Sequence, residues 1–277
     1  MTGARRGRLG AFLGGRFQDL APRVATGVVL GGLTLGAVWL GGLWTAGLFA
    51  IAAGVMAWEL RQVTGAGQGV RGLVTIGAAA ASVIVTELSL LRWGALVLAG
   101  AAAWPLLADG RARYWTAGGL IWTGLAMGCV VGLRGDPLYG FEAVLWLFLV
   151  VVASDIGGYF GGRLIGGPKL WPRLSPKKTW AGSLTGMALA ALVGGLFSRW
   201  TTGTHALEVV SVSALVALVA QAGDMLESVM KRRFGVKDSS SLVPGHGGLL
   251  DRLDALTAAA LASGLITFAR GKSVFIW

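Results

Sequence analysis

Apolar runs close to twenty residues long, separated by short polar stretches, set the pattern of the chain. They lie near residues 24 to 43, 44 to 60, 72 to 90, 93 to 108, 115 to 133, 141 to 160, 180 to 198, 206 to 226 and 254 to 269. A helix needs about 20 mainly apolar residues to cross roughly 30 Å of hydrocarbon. The pattern therefore predicts an all-α, polytopic integral membrane protein with about nine transmembrane helices, the fourth of them short.

Composition sharpens this reading. Of 277 residues, 55% are hydrophobic and only 13% charged, with 46 Gly and a mean hydropathy of +0.69, which excludes a water-soluble globule. The first apolar run follows Arg5, Arg6, Arg8, Arg16 and Arg23. It is too long for a removable signal peptide and lacks the small-residue cleavage site, so it is expected to stay as the first helix. The expected division is a cytoplasmic segment, 1–23, and one transmembrane domain, 24–277, with the chemistry at about 150–260. With the N-terminus inside, nineteen of the 24 Lys and Arg fall in inside loops, leaving Arg92, Arg134, Arg199, Arg270 and Lys272 outside. That asymmetry is a topology signal. It accounts for the net charge of +11 together with attraction to anionic lipid, without nucleic acid. Cys129, the one cysteine, sits in mid-span as a small packing residue. Small residues four apart, as at Gly27 and Gly31, Gly158 and Gly162, and Gly182 and Gly186, allow helix backbones to approach closely in lipid.

The polar residues are not spread evenly. Five of thirteen acids lie between 224 and 254, and five of six Lys are Lys169, Lys177, Lys178, Lys231 and Lys237. These occupy the connections after spans 6 and 8, which the topology places on one side. In the first connection, Asp155 stands late in an apolar run, where a carboxylate is costly without a partner or water. It is either a site residue or a packing partner of Arg163. The stretch "SPKKTWAG" puts Lys177, Lys178 and Thr179 at the entrance to span 7, after a Ser175-Pro176 turn or helix start, and helix N-terminal amides there attract anions.

In the second connection, Asp224, Glu227 and Ser228 share one helix face, with Lys231 a turn further on. Asp251 and Asp254 form an i, i+3 pair at the start of span 9, behind a "PGHGG" turn. Carboxylates from two helix ends offer hard oxygen ligands to Mg²⁺, and the nearby cations suit phosphate. Together they imply a nucleotide or pyrophosphate substrate, although no P-loop or dinucleotide glycine fingerprint is present. His246 is a turn residue or an acid/base. Glu59, near the inner end of span 2, is expected to pair with Arg61, with a site role as the alternative. The Trp residues suit interfacial belts.

The stretch from Ser228 to Asp254 resembles the signature of the phosphatidate cytidylyltransferases, the integral membrane CDP-diacylglycerol synthases. The matching positions are Ser228, Met230, Lys231-Arg232, Lys237-Asp238, Pro244 to Gly248, Asp251-Arg252, Leu253 and Asp254, with intact spacing. Upstream, Asp155, Tyr159, Gly162-Arg163 and Ser175 to Trp180 also look like family segments. Three positions depart from the pattern: Ala181 stands for Glu, Val243 for a larger aliphatic and Ala255 for Ser. The resemblance covers about residues 150 to 260 and is only hydropathic before that.

That resemblance implies transfer of the cytidylyl group of CTP to phosphatidic acid, giving CDP-diacylglycerol and pyrophosphate. The expected setting is a bacterial plasma membrane, with the site on the cytoplasmic side and membrane lipids around a homodimer. Asp224 and Asp251 are the expected Mg²⁺ ligands, with Asp254 and Glu227 beside them and a second metal ion left open. Lys231, Lys237, Arg252, Lys177 and Lys178 would neutralise phosphates. Asp155, Thr179, Ser228, Asp238 and His246 would line or orient the site. The alternatives are a CTP-dependent lipid kinase and an ion-coupled transporter, the latter disfavoured because the polar residues gather at one face of the C-terminal half rather than at mid-membrane in both halves.

Overall fold

A computed structural model describes residues 20–89, 91–172, 175–242 and 247–276. Each apolar run becomes a helix: α1 (Leu20–Leu40), α2 (Gly42–Thr64), α3 (Gly69–Leu88), α4 (Leu91–Ala108), α5 (Arg113–Arg134), α6 (Gly140–Leu164), α7 (Trp180–Thr201), α8 (Ala206–Arg233) and α9 (Leu250–Arg270). Eight of these, α2 to α9, are long and apolar enough to cross a membrane among the described residues, and α1 contributes a shorter apolar stretch, Thr26–Leu40. The architecture is that of an all-α polytopic membrane protein. Between α6 and α7 stands an antiparallel hairpin, β1 (Lys169–Trp171) and β2 (Ser175–Thr179). The expected Ser175-Pro176 turn or helix start is thus a strand. Residue 175 precedes Pro, which favours extended backbone, and α7 begins only once Thr179 caps it by accepting from the Gly182 amide at 3.1 Å.

Several helices run past their apolar stretch. The eighth run ends near 226, yet α8 continues to Arg233 and carries Glu227 and Lys231 with it. Helix-forming Met, Glu, Lys and Arg propagate the backbone hydrogen bonds beyond the apolar limit. Gly235, at φ 70, follows the end of the helix, in the left-handed conformation that glycine adopts without steric cost.

The glycine spacing explains the close packing of α6 on α7. A Cβ added at Gly182 would stand 2.6 Å from the Gly158 carbonyl, and one at Gly186 would stand 2.6 Å from the Ser154 carbonyl. One at Gly161 would overlap the Thr185 side chain. Lipid tails are as apolar as the helices, so contact has to come from close van der Waals approach. Gly27 and Gly31 on α1 do not behave this way, since an added Cβ there would meet nothing within 4 Å. The main core instead gathers Trp146, Leu147, Met127, Val130 and Phe275, and the Trp146 indole donates to Ser213 Oγ at 3.0 Å, which removes the cost of burying its N–H.

The expected partnership of Glu59 with Arg61 is not formed. Arg61 turns to Asp109, at 2.7 Å and almost fully buried, and also donates to the Gly67 and Ala66 carbonyls, each at 2.9 Å. A guanidinium carries five donors in a fixed fork, and this arrangement uses them on acceptors from two connections at one end of the bundle. Glu59 faces the other way, towards α9. These contacts bring the connections after α2, α4 and α8 to the same end, as the charge asymmetry requires.

Two stability outcomes follow. Replacing Asp109 with Ala leaves a buried guanidinium without its counter-ion, and should cost about 3–5 kcal/mol, read as an early thermal transition in detergent. Gly182→Val should separate α6 from α7 and cost about 1–3 kcal/mol through overpacking; an unchanged melting profile would show that the two helices can be pushed apart freely.

Candidate active site

The polar end of the bundle carries two cavities with α8 between them. One, of about 400 Å³, is bordered by Asp155, Tyr159 and Arg163 of α6, Lys177 and Lys178 of β2, Thr179 and Ser183 at the start of α7, and Gln221 and Asp224 of α8. The other, of about 420 Å³, is bordered by Leu60 of α2, Trp115 and Trp122 of α5, Leu226, Glu227 and Met230 of α8, and Leu250 and Asp254 of α9. Their different chemistry follows from helical spacing: residues 224 and 227 on α8 flank the two spaces, one acid in each wall.

The first cavity is cationic and rich in hydrogen bonds. Lys178 forms an ion pair with Asp224. The exposed Lys177 lies beside it. The first turn of α7 holds no acid, so Ala181, where the family pattern has Glu, leaves the helix N-terminus free to favour an anion. Gln221, which the sequence reading passed over, ties three elements together. Its Nε2 donates to Ser154 Oγ at 3.0 Å and to the Ser183 carbonyl at 3.3 Å, while the Ser183 hydroxyl donates to its Oε1. A lone Gln in an apolar run carries no spacing signal that would have found it. Asp155 lines this cavity, and the alternative pair with Arg163 is not formed; Arg163 donates to the Tyr159 hydroxyl at 2.8 Å.

Beside the second cavity, Lys231 stands between two acids, 2.6 Å from Asp251 Oδ1 and 3.0 Å from Glu227 Oε1. Both acids are nearly inaccessible, at 6% and 7% side-chain exposure. Asp251 is held further through Oδ2, which accepts from the Ser239 amide at 2.8 Å, the Ser239 hydroxyl at 2.9 Å and the Gly248 amide at 2.9 Å. The glycine turn makes this possible. Gly247 has φ +86, and an added Cβ there would stand 3.1 Å from Asp251 Oδ2. Asp254 lies close enough to Asp224 and Glu227 for their charges to interact, so α8 and α9 converge on three acids.

The donor set suits a hard divalent cation. Glu227 Oε1 has the Lys231 ammonium at 3.0 Å, while Oε2 is buried without a well-formed hydrogen bond, and a cation beside Asp254 would give that oxygen a partner. Among the described residues, no three His, Cys, Asp or Glu side chains are spaced as a complete metal cage. Mg²⁺ does not demand one, because it commonly takes one or two carboxylates together with substrate phosphates and water.

Not every expected site residue is gathered in. Lys237, Asp238 and Arg252 are exposed and border neither cavity. Ser228 is half-buried and likewise borders neither, and Lys231 and Asp251 stand next to Met230 and Leu250, which line the second cavity, without lining it themselves. Thr179 borders the first cavity and also caps α7. His246, with Pro244 and Gly245, lies outside the described residues.

Similarity to known proteins identifies the family. The profile of the cytidylyltransferase family matches residues 21–268. A phosphatidate cytidylyltransferase of Brucella suis is 45% identical over 172 residues, which cover 62% of this chain and 63% of that protein. One of Helicobacter pylori is 41% identical over 141 residues, covering 51% and 52%. One of Haemophilus influenzae is 41% identical over 129 residues, covering 45% of each. The aligned segments thus span less than two thirds of these relatives.

The Lys231 arrangement yields its own test. Lys231→Met removes the cation while leaving two buried acids, and should cost about 3–5 kcal/mol by thermal unfolding in detergent. The double change Lys231→Met with Asp251→Asn should recover part of that loss; no recovery would mean that the two residues do not act as a pair.

Proposed function

The chain belongs to the cytidylyltransferase family, and from that premise we propose that it transfers the cytidylyl group of CTP to phosphatidic acid, releasing pyrophosphate and leaving CDP-diacylglycerol in the membrane. The reaction would take place on the cytoplasmic side of a bacterial plasma membrane. One observation carries the reading: a cationic, hydrogen-bonding cavity and an apolar, aromatic-walled cavity lie on either side of one acidic helix face. A soluble triphosphate and a lipid have to meet at such a boundary. The positive-inside asymmetry and the bacterial relatives support the side and the membrane.

A phosphate oxygen of phosphatidic acid attacks the α-phosphorus of CTP. A new P–O bond forms as the bond from the α-phosphorus to the bridging oxygen breaks, and pyrophosphate departs with that electron pair. The lipid phosphate is already an anion at neutral pH, so the chain need not supply a strong base. It has to neutralise charge and hold the two phosphates in line. Lys177, Lys178 and the N-terminus of α7 would receive the triphosphate. Lys231, fixed between Glu227 and Asp251, would present a cation at the boundary, and the apolar cavity would take the glycerol end of the lipid. Asp224 and Asp251, with Glu227 and Asp254 alongside, are the oxygen donors that would hold Mg²⁺. The chemistry Mg²⁺ supplies when bound is neutralisation and alignment of phosphate oxygens. The reading includes the homodimer that the family resemblance implies, which sedimentation of the detergent-solubilised protein tests.

The deciding experiment uses purified protein in mixed micelles with phosphatidic acid, Mg²⁺ and CTP labelled on its α-phosphate. Label should enter the organic phase and vanish from it on omission of either Mg²⁺ or phosphatidic acid. Transfer from γ-labelled CTP instead would point to a lipid kinase. Asp251→Asn should lower turnover by about 10²-fold or more in a folded protein. Lys178→Ala should chiefly raise KM for CTP; unchanged kinetics would remove Lys178 from the triphosphate site.

A further inference from the structure

Glu59 belongs to α2, far from the signature in sequence, and is fully buried. Its carboxylate turns away from the neighbouring Arg61 and faces the connection between α8 and α9. Oε1 accepts from the Ser240 hydroxyl at 2.6 Å and from the Leu249 amide at 2.9 Å. Oε2 accepts from the Leu250 amide at 2.6 Å. The Ser239 hydroxyl lies 3.3 Å from Glu59 Oε2 and 2.9 Å from Asp251 Oδ2. With a single proton to donate, it links the two carboxylates.

Leu249 and Leu250 are the residues at which α9 starts, and Leu249 offers no side-chain cap of its own. The first amides of a helix lack intrahelical acceptors and need another partner when buried. Glu59 supplies it from another helix. Gly248 is part of the fit, because an added Cβ there would stand 2.7 Å from Glu59 Oε1 and overlap Ser239 Oγ. The first turn of α9 that is held in this way carries Asp251.

We propose that Glu59 is a positioning residue for the reaction: it caps α9 from a distance, and so fixes Asp251 against Lys231. This rests on the role assigned to Asp251 above. Glu59 would touch neither substrate, and its effect would pass through the Leu249 and Leu250 amides and the Ser239 hydroxyl.

Glu59→Gln, Glu59→Ala and Glu59→Asp test this in the full-length protein in detergent, by steady-state kinetics and by hydrogen–deuterium exchange. Glu59→Gln keeps the volume but turns an NH₂ towards backbone donors. It should lower kcat about 10- to 100-fold, the usual loss on removing an orienting partner, with KM for CTP and phosphatidic acid unchanged. Exchange should quicken at the Leu249 and Leu250 amides and across residues 239–252, but not in α6 or α7. Glu59→Asp, which retains the carboxylate on a shorter stem, should recover part of the lost kcat. Wild-type kcat in Glu59→Gln would overturn the proposal, as would a loss confined to KM or exchange quickened evenly through the protein. If Glu59→Ala does not fold, the isosteric Gln variant still decides. The exchange arm needs no substrate, so it tests the capping even where the wild-type protein transfers no label, an outcome that would sink the proposed function instead.

Discussion

One ammonium group, Lys231 Nζ, holds the polar end of this bundle together. It stands within ion-pair distance of acids on two different helices, Glu227 of α8 and Asp251 of α9. Two carboxylates so little exposed would repel each other and lose hydration if left alone. With the lysine between them, α8 and α9 can run close together, and the other acids at this end of the two helices, Asp224 and Asp254, lie near enough for their charges to interact. The wall between the two cavities is therefore an electrostatic arrangement as much as a packing one.

Around that pair, the protein satisfies polar groups by reaching across long sequence distances. Oδ2 of Asp251 accepts three hydrogen bonds from the connection that precedes it, while Glu59 brings the N-terminal half of the chain to the same segment. Arg61, two residues further along α2, secures Asp109 and the α2–α3 connection. Two residues of one helix, two positions apart, thus serve opposite purposes: Glu59 supports the site, and Arg61 supports the frame. Successive positions on a helix point about 100° apart, so residues two apart lie on nearly opposite faces. That geometry separates the two roles.

The cationic cavity depends on a different constraint. Glycines on α6 and α7 allow those helices nearly to touch, which brings Asp155 and Tyr159 opposite Lys178 and Ser183. The hairpin of β1 and β2 then lowers its lysines over the opening, and Thr179 turns the strand into α7. Gln221 crosses from α8 to bind both walls. Each wall is positioned by backbone contact before any charge is considered, which is why a cavity lined by cations can sit in so apolar a bundle.

The sequence by itself determined the helix number, the all-α membrane class, the gathering of acids and lysines after spans 6 and 8, and the family. These are local or compositional properties: the length of an apolar run, the hydration cost of charge in lipid, and an ordered motif whose spacing can be read along the chain. Gly182 and Gly186 were legible for the same reason, since a four-residue interval has one meaning on a helix. Only the tertiary structure decided which charges meet. Glu59 and Arg61 read as a pair because they are close in sequence, yet one bonds Ser240, Leu249 and Leu250 and the other Asp109. Gln221, Ser239 and Gly248 carry no periodic signal, and their importance comes from partners on other helices. Lys237 and Arg252 fit the motif and still lie outside both cavities. A hydrogen bond requires a distance near 3 Å between two particular atoms, and along this chain that distance is set by how α2, α8 and α9 pack, not by how far apart their residues are numbered.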